Sequence, residues 1–223
     1  MQKNYCVEAL RFFFIMLICL WHTIGDTSFI KHGDLGVEFF FILSGMMLFR
    51  SSIKPDSLST LDFALKKIKR FTPPVLIFLP ILMCVQWNWV PSSLSIDEIS
   101  RSFCLLVGEI FNIGNAGLWG GRINEPLWFL SVLIVGSTLI YGFLKQLKSP
   151  GIWCILIAIV LYAYLIETGE GSIRGVGHMT VYRHLVRGCA SIILGCSLYL
   201  FVIQKENELN HKWCRKCRKR KEE

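Results

Sequence analysis

The stretch ALRFFFIMLICLWHTI, from Ala9 to Ile24, decides the fold. Its apolar residues run together, without the alternation of a half-buried strand or the single stripe of a surface helix. Only Arg11, His22 and Thr23 interrupt it. Apolar blocks of roughly 17–20 residues match the thickness of a bilayer core. Lys3 is a weak charged start and no small-residue cleavage site follows, so the block reads as a retained span and not a signal peptide.

Blocks of the same kind recur at Leu35–Phe49, Leu127–Leu144, Ile152–Ile166 and Leu185–Ile203. Another begins just after Pro73-Pro74 and continues to about Val90, the prolines suiting a helix start where no N–H is needed. Phe103–Ile113 is apolar but too short to span, and Gly114, Gly117, Gly120 and Gly121 follow it. It reads as re-entrant or interfacial. The expectation is an all-α fold, a polytopic transmembrane helix bundle of about six spans plus one re-entrant or interfacial segment. Residues 1–204 form the transmembrane domain and residues 205–223 a basic cytoplasmic tail.

Apolar residues make up 53% of the 223, and charged residues only 18%, which sets the chain apart from an ordinary soluble domain. The net charge of +8 concentrates in Arg50–Arg70 and Lys205–Lys221. Basic clusters beside apolar spans mark cytoplasmic loops and favour anionic headgroups. Arg50, Lys54, Lys66, Lys67, Lys69 and Arg70 therefore place that loop, and with it the N-terminus, in the cytoplasm. If Phe103–Ile113 does not cross, Lys145, Lys148 and the tail also fall inside, at the cost of Arg174, Arg183 and Arg187 outside. Nothing near the tail resembles a base-reading fold, so no nucleic acid is expected. Most of the nine cysteines sit within apolar blocks and behave as small hydrophobes. Cys214 and Cys217 have the spacing of half a zinc site, with His211 as a third ligand, but no second pair lies near and no metal is expected.

Arg11 and His22 share the first span, eleven positions apart. They fall within about 20° of each other on the helix wheel and about 16 Å apart along the axis. One face thus carries a permanent cation near one end and a titratable imidazole near the other. Charges within a span are costly and usually face the bundle interior. The plain alternative for Arg11 is a snorkelling residue paired with Glu8, and for His22 an interfacial ring beside Trp21. Glu38, at the outer start of the second span, lies at a depth comparable with His22 and would orient or charge-stabilise the imidazole, or else simply reach headgroup water. Ser44 and Gly45 point to close helix packing. The basic run Ala64–Pro73 is a topology signal and lipid anchor, or else a holder of a polyphosphate.

Arg11, ten residues, His22, and then LGVEFFFILSG from Leu35 to Gly45 resemble the opening of the acyltransferase family 3 membrane proteins. Lys67–Pro73 looks like that family's basic RxxR-type motif running into the third span, and Pro126–Ser131 is similar to its tryptophan-serine-leucine segment. Order and spacing agree from residue 1 to about 145; beyond that only hydrophobicity agrees. The resemblance implies a domain of roughly ten spans that moves acyl groups, often acetyl from acetyl-CoA, onto sugars of cell-surface polysaccharides. It implies that Arg11 and His22 are essential, with His22 catalytic, and that the basic loop handles the donor. Glu38 stands where the family usually has aspartate, Lys67 where arginine is usual, and the chain stops after about six spans.

The resulting expectation is a multi-pass O-acyltransferase of the cytoplasmic (inner) membrane, with both termini cytoplasmic. Arg11, Lys67 and Arg70 would hold the phosphates of acyl-CoA. His22 would be general base or transient acyl carrier, with Glu38 orienting it. The partners expected are acyl-CoA, a surface glycan acceptor and the bilayer, and an oligomer would complete a bundle that six spans leave open. The alternative is a catalytically inactive, truncated relative acting as an accessory membrane protein or small transporter.

Overall fold

The computed structural model describes residues 5–24, 33, 35–86, 127–147, 150–167 and 184–201. Among them are six α-helices and no strand: α1 Tyr5–Ile24, α2 Leu35–Ser52, α3 Thr60–Gln86, α4 Leu127–Gln146, α5 Pro150–Glu167 and α6 His184–Phe201. All but α3 are long and apolar enough to cross a membrane. The apolar residues are also arranged for hydrocarbon. α1 has no buried residue and exposes Phe12, Phe13, Ile15 and Met16, while α5 exposes Ile152, Ile159, Val160 and Ile166. Water would oppose such faces, whereas lipid tails are as apolar as the side chains themselves. The chain is a helical membrane bundle.

α2, α4 and α6 form its centre. Phe41, Val132, Tyr141 and Ile192 are fully buried there. Small residues bring the backbones together. A Cβ on Gly45 would run into the Ile192 carbonyl, and one on Gly195 into the Ile42 carbonyl, so α2 and α6 touch reciprocally. The Cys196 thiol donates to the Gly45 carbonyl at 3.3 Å across the same contact. Close approach at glycine replaces the hydrophobic drive that lipid does not supply. Gly45 thus does what its sequence context implied, while Ser44 turns elsewhere.

Ring and polar contacts give the helix directions. Trp128 lies against both Phe41 and His184, and Glu38 pairs with Arg187, so the N-terminal ends of α2, α4 and α6 gather at one end. Phe63 near the start of α3 stacks on Tyr141 near the end of α4 (4.1 Å, 5°), which makes α3 antiparallel to α4. The C-terminal end of α3 and the N-terminal end of α4 therefore lie on the same side of the bundle. Phe103–Ile113 falls within residues 87–126, outside the described residues, as do the tail 205–223 and its Cys214–Cys217 pair.

The basic stretch before Pro73 is not a loop. α3 starts at Thr60 and runs unbroken through Pro73 and Pro74, so the prolines sit inside a helix and do not begin one. Ser59 decides the start. Its hydroxyl accepts from the Asp62 N–H at 3.1 Å and donates to the Asp62 carboxylate at 2.6 Å, closing the first turn. Phe63 then anchors the helix on Tyr141, whose hydroxyl donates to the Leu58 carbonyl at 3.0 Å. Tertiary anchoring on that first turn outweighs the cost of two missing backbone donors further along.

Candidate functional site

α1 packs on α2 through a defined register. Phe14 stacks on Phe39 (4.3 Å, 21°), and Ile18 and Trp21 stand where Cβ atoms on Gly36 and Gly33 would be. With α1 and α2 antiparallel, Arg11 comes level with Leu43. His22, in the last turn of α1, lies beyond the start of α2. Arg11 donates from Nη1 to Glu8 at 2.6 Å while lining a cavity. His22 is exposed, its ring in edge contact with Trp21 (4.9 Å, 64°).

That cavity, of about 480 Å³, lies between α2 and α3. One face of α2 supplies Phe40, Leu43, Ser44, Met47, Leu48 and Ser51, spaced at helical turns. Facing it, α3 supplies Phe63, Lys66, Lys67, Arg70 and Phe71, while Arg11 enters from α1 and Leu133 from α4. Among the described residues four cations and no carboxylate line the cavity, with Glu8 paired to Arg11 from outside the lining. Lys67 sits over the Phe63 ring at 5.2 Å and Arg70 over Phe71 at 5.6 Å. The Lys67 ammonium lies ahead of the apolar stretch that follows Pro74. Burial first, and the neighbouring Arg70 second, lower its pKa to about 8. An anion here would meet four cations, Lys67 and Arg11 half-buried and Lys66 and Arg70 exposed, and the volume lies within the range of ligand sites. The structure thus brings Arg11, Lys67 and Arg70 together, adds Lys66, Ser44 and Ser51 to them, and leaves His22 outside the lining.

Glu38 has other partners than His22. Its two carboxylate oxygens accept from Arg187 Nε and Ser191 Oγ of α6. Ser191 Oγ also lies 3.0 Å from Tyr162 Oη of α5. The reason is rotational. Gly36 and Phe39 turn towards α1, and Glu38 stands about 200° and 100° from them on the wheel, facing α6. The idea that Glu38 orients the imidazole is therefore corrected: it staples α2 to α6. Arg187, Ser191 and Tyr162 were not singled out from the sequence. The signal available was Arg187 itself, a positive charge stranded on the wrong side by loop counting. Paired with Glu38, it no longer counts as a free charge.

The family model described as an acyltransferase domain, that of acyltransferase family 3, matches residues 4–210. The chain belongs to acyltransferase family 3. This acyltransferase-family chain is also 25% identical, over 156 residues, to a protein named O-acetyl transferase from Shigella phage Sf6. That match takes in 61% of the chain and 46% of the phage protein, so the chain spans about half the length of that curated relative. No solved structure matches it. As a family member with five apolar helices of spanning length, it is a membrane protein.

Proposed function

We propose that this family member transfers an acyl group, acetyl first, from acyl-CoA to a hydroxyl of a cell-surface polysaccharide or related glycan. It would work in the inner membrane, with both termini cytoplasmic. One observation carries the reading: Arg11, Lys66, Lys67 and Arg70 converge on a cavity that no carboxylate among the described residues lines. A polyphosphate such as the nucleotide end of coenzyme A is the chemistry that such a set recognises. Arg11 and His22 lie on one unbroken helix, eleven residues and about 16 Å apart. An extended pantetheine arm is of that order, so a thioester whose phosphates rest on Arg11 reaches the imidazole.

In the transfer, His22 takes the proton of the glycan hydroxyl as its oxygen attacks the thioester carbonyl. The new C–O bond forms, the C–S bond breaks, and the imidazolium returns the proton to the departing thiolate. The phage relative's printed name, O-acetyl transferase, supports the acetyl choice.

The rival reading is an inactive accessory protein, and the exposed position of His22 outside the cavity lining favours it. The two part company in cells expressing the chain, scored for O-acetyl content of surface polysaccharide. His22→Ala at equal membrane level is expected to lower acylation by about 100-fold or more. Full acylation by that variant would remove His22 from the mechanism, and none from well-inserted wild type would establish the accessory role.

A further inference from the structure

Along α2 the described lining of the cavity runs from Ser51 to Phe40, eleven residues or about 16 Å away, with Arg11 level with Leu43. Phe40 is the last residue of α2 to line it, with Leu133 opposite on α4. The Phe40 ring is not alone. It meets Phe129 edge-on (6.4 Å, 75°) and Phe39 likewise (5.4 Å, 76°), and Phe39 in turn stacks on Phe14 of α1. A row of rings therefore runs from α1 to α4 through Phe40, where the described α2 lining stops.

His22 lies on the far side of that row. The pairing of Ile18 with Gly36 and of Phe14 with Phe39 sets His22 about eight residues, or roughly 12 Å, beyond Phe40. Two registers for the donor follow. With its phosphates on Lys66, Lys67 and Arg70, an extended arm runs along this lining towards the Phe40 ring. With its phosphates on Arg11, the acyl group has to pass that ring to reach His22. In both, the first obstacle to a longer chain is Phe40.

We infer that Phe40 sets the acyl chain length the cavity accepts, restricting it to short unbranched chains. The inference rests on the acyl-CoA reading of the same cavity. A ring packed in the path of the chain discriminates by length, since a single methylene in a hydrophobic pocket is worth about tenfold or more. Phe40 meets the acyl group in the first register and on its way to His22 in the second, and takes no part in proton transfer.

The test uses the full chain in lipid nanodiscs, titrated with coenzyme A, acetyl-CoA, butanoyl-CoA and hexanoyl-CoA. The quantity read is the affinity of each thioester relative to coenzyme A in the same protein. Wild type is expected to favour acetyl-CoA. Phe40→Ala should raise the relative affinity for hexanoyl-CoA by at least about tenfold. Phe40→Trp, which keeps a ring in the wall, should lower that for butanoyl-CoA. Equal chain preference in all three proteins, with coenzyme A still bound, overturns the role of Phe40 and leaves the donor cavity standing. Wild type that binds none of the four overturns the donor cavity, and this inference with it.

Discussion

Glu38 on α2 is ion-paired with Arg187 on α6, 149 positions further along the chain, with Ser191 completing the carboxylate's partners. Both side chains are largely buried, at 17% and 11% exposure. A pair held in this way is costly to break from one side, because the partner left behind keeps its charge without compensation. Arg187→Ala should therefore destabilise the bundle by about 3 kcal/mol. Arg187→Met combined with Glu38→Gln should recover more than half of that loss. Thermal unfolding in detergent, run as a double-mutant cycle, measures the coupling. Additive losses would mean that the two residues act independently.

The α2–α6 contact gives a sharper contrast. Gly45→Ala places a methyl on the Ile192 carbonyl and the Cys196 N–H, both backbone, so the helices have to separate. The expected cost is about 2 kcal/mol. Gly142→Ala meets only the Thr60 side chain, at 3.2 Å, and gains helix propensity worth about 1 kcal/mol, so it should be close to neutral. Comparison of the two melting temperatures in the same detergent checks the claim. Equal losses would contradict it.

On the proposed function, Lys67 would make donor binding pH-dependent. Its pKa, lowered to about 8, means that the ammonium is charged at pH 7 and loses its proton as pH rises through 8 to 9. Anion affinity is thus fully present below pH 8 and falls above it. A bound anion favours the charged form and moves the midpoint upward. Acetyl-CoA affinity should weaken roughly tenfold between pH 7.5 and 9.5. Lys67→Arg, whose guanidinium does not titrate in this range, should flatten that slope. A slope unchanged in the arginine variant would assign the titration to another group. Folding responds with the opposite sign. Between pH 8 and 10.5 the unfolded chain holds a proton that the folded chain lacks, so this residue's contribution to stability rises with pH.

The Leu58 carbonyl accepts two donors, Tyr141 Oη at 3.0 Å and Lys145 Nζ at 2.7 Å. Tyr141→Phe should cost about 1 kcal/mol or less, because Lys145 keeps the carbonyl satisfied. Adding Lys145→Met should cost more than the sum of the single changes. The unfolding midpoints of the three variants, in one detergent, decide between cooperation and simple addition.

Much of this was legible in the linear pattern, and the exceptions have physical causes. α1, α2, α4, α5 and α6 begin and end within a few residues of their apolar blocks, since the length of an apolar run is itself the signal. α3 was misread, because Pro73-Pro74 looks like a start while the Ser59 cap and the Phe63–Tyr141 stack lie outside any periodicity. The grouping of Arg11 with Lys67 and Arg70 was legible because charges near apolar runs are few, and the same scarcity made Glu38 look like a partner for His22.

The sequence by itself determined that the chain is a membrane helix bundle of acyltransferase family 3, that Arg11 and His22 share one helix face, and that a basic segment precedes the third apolar block. These are local properties of composition and spacing. Only the tertiary structure decided that Glu38 belongs to Arg187, that Lys66, Ser44 and Ser51 line one cavity with Arg11, Lys67 and Arg70, and that Phe40 lines it on the side of His22. Each depends on how helices rotate and cross. In a bilayer that is settled by close contacts such as Gly45 against Ile192 and Gly195 against Ile42, which lie about 150 residues apart in the chain.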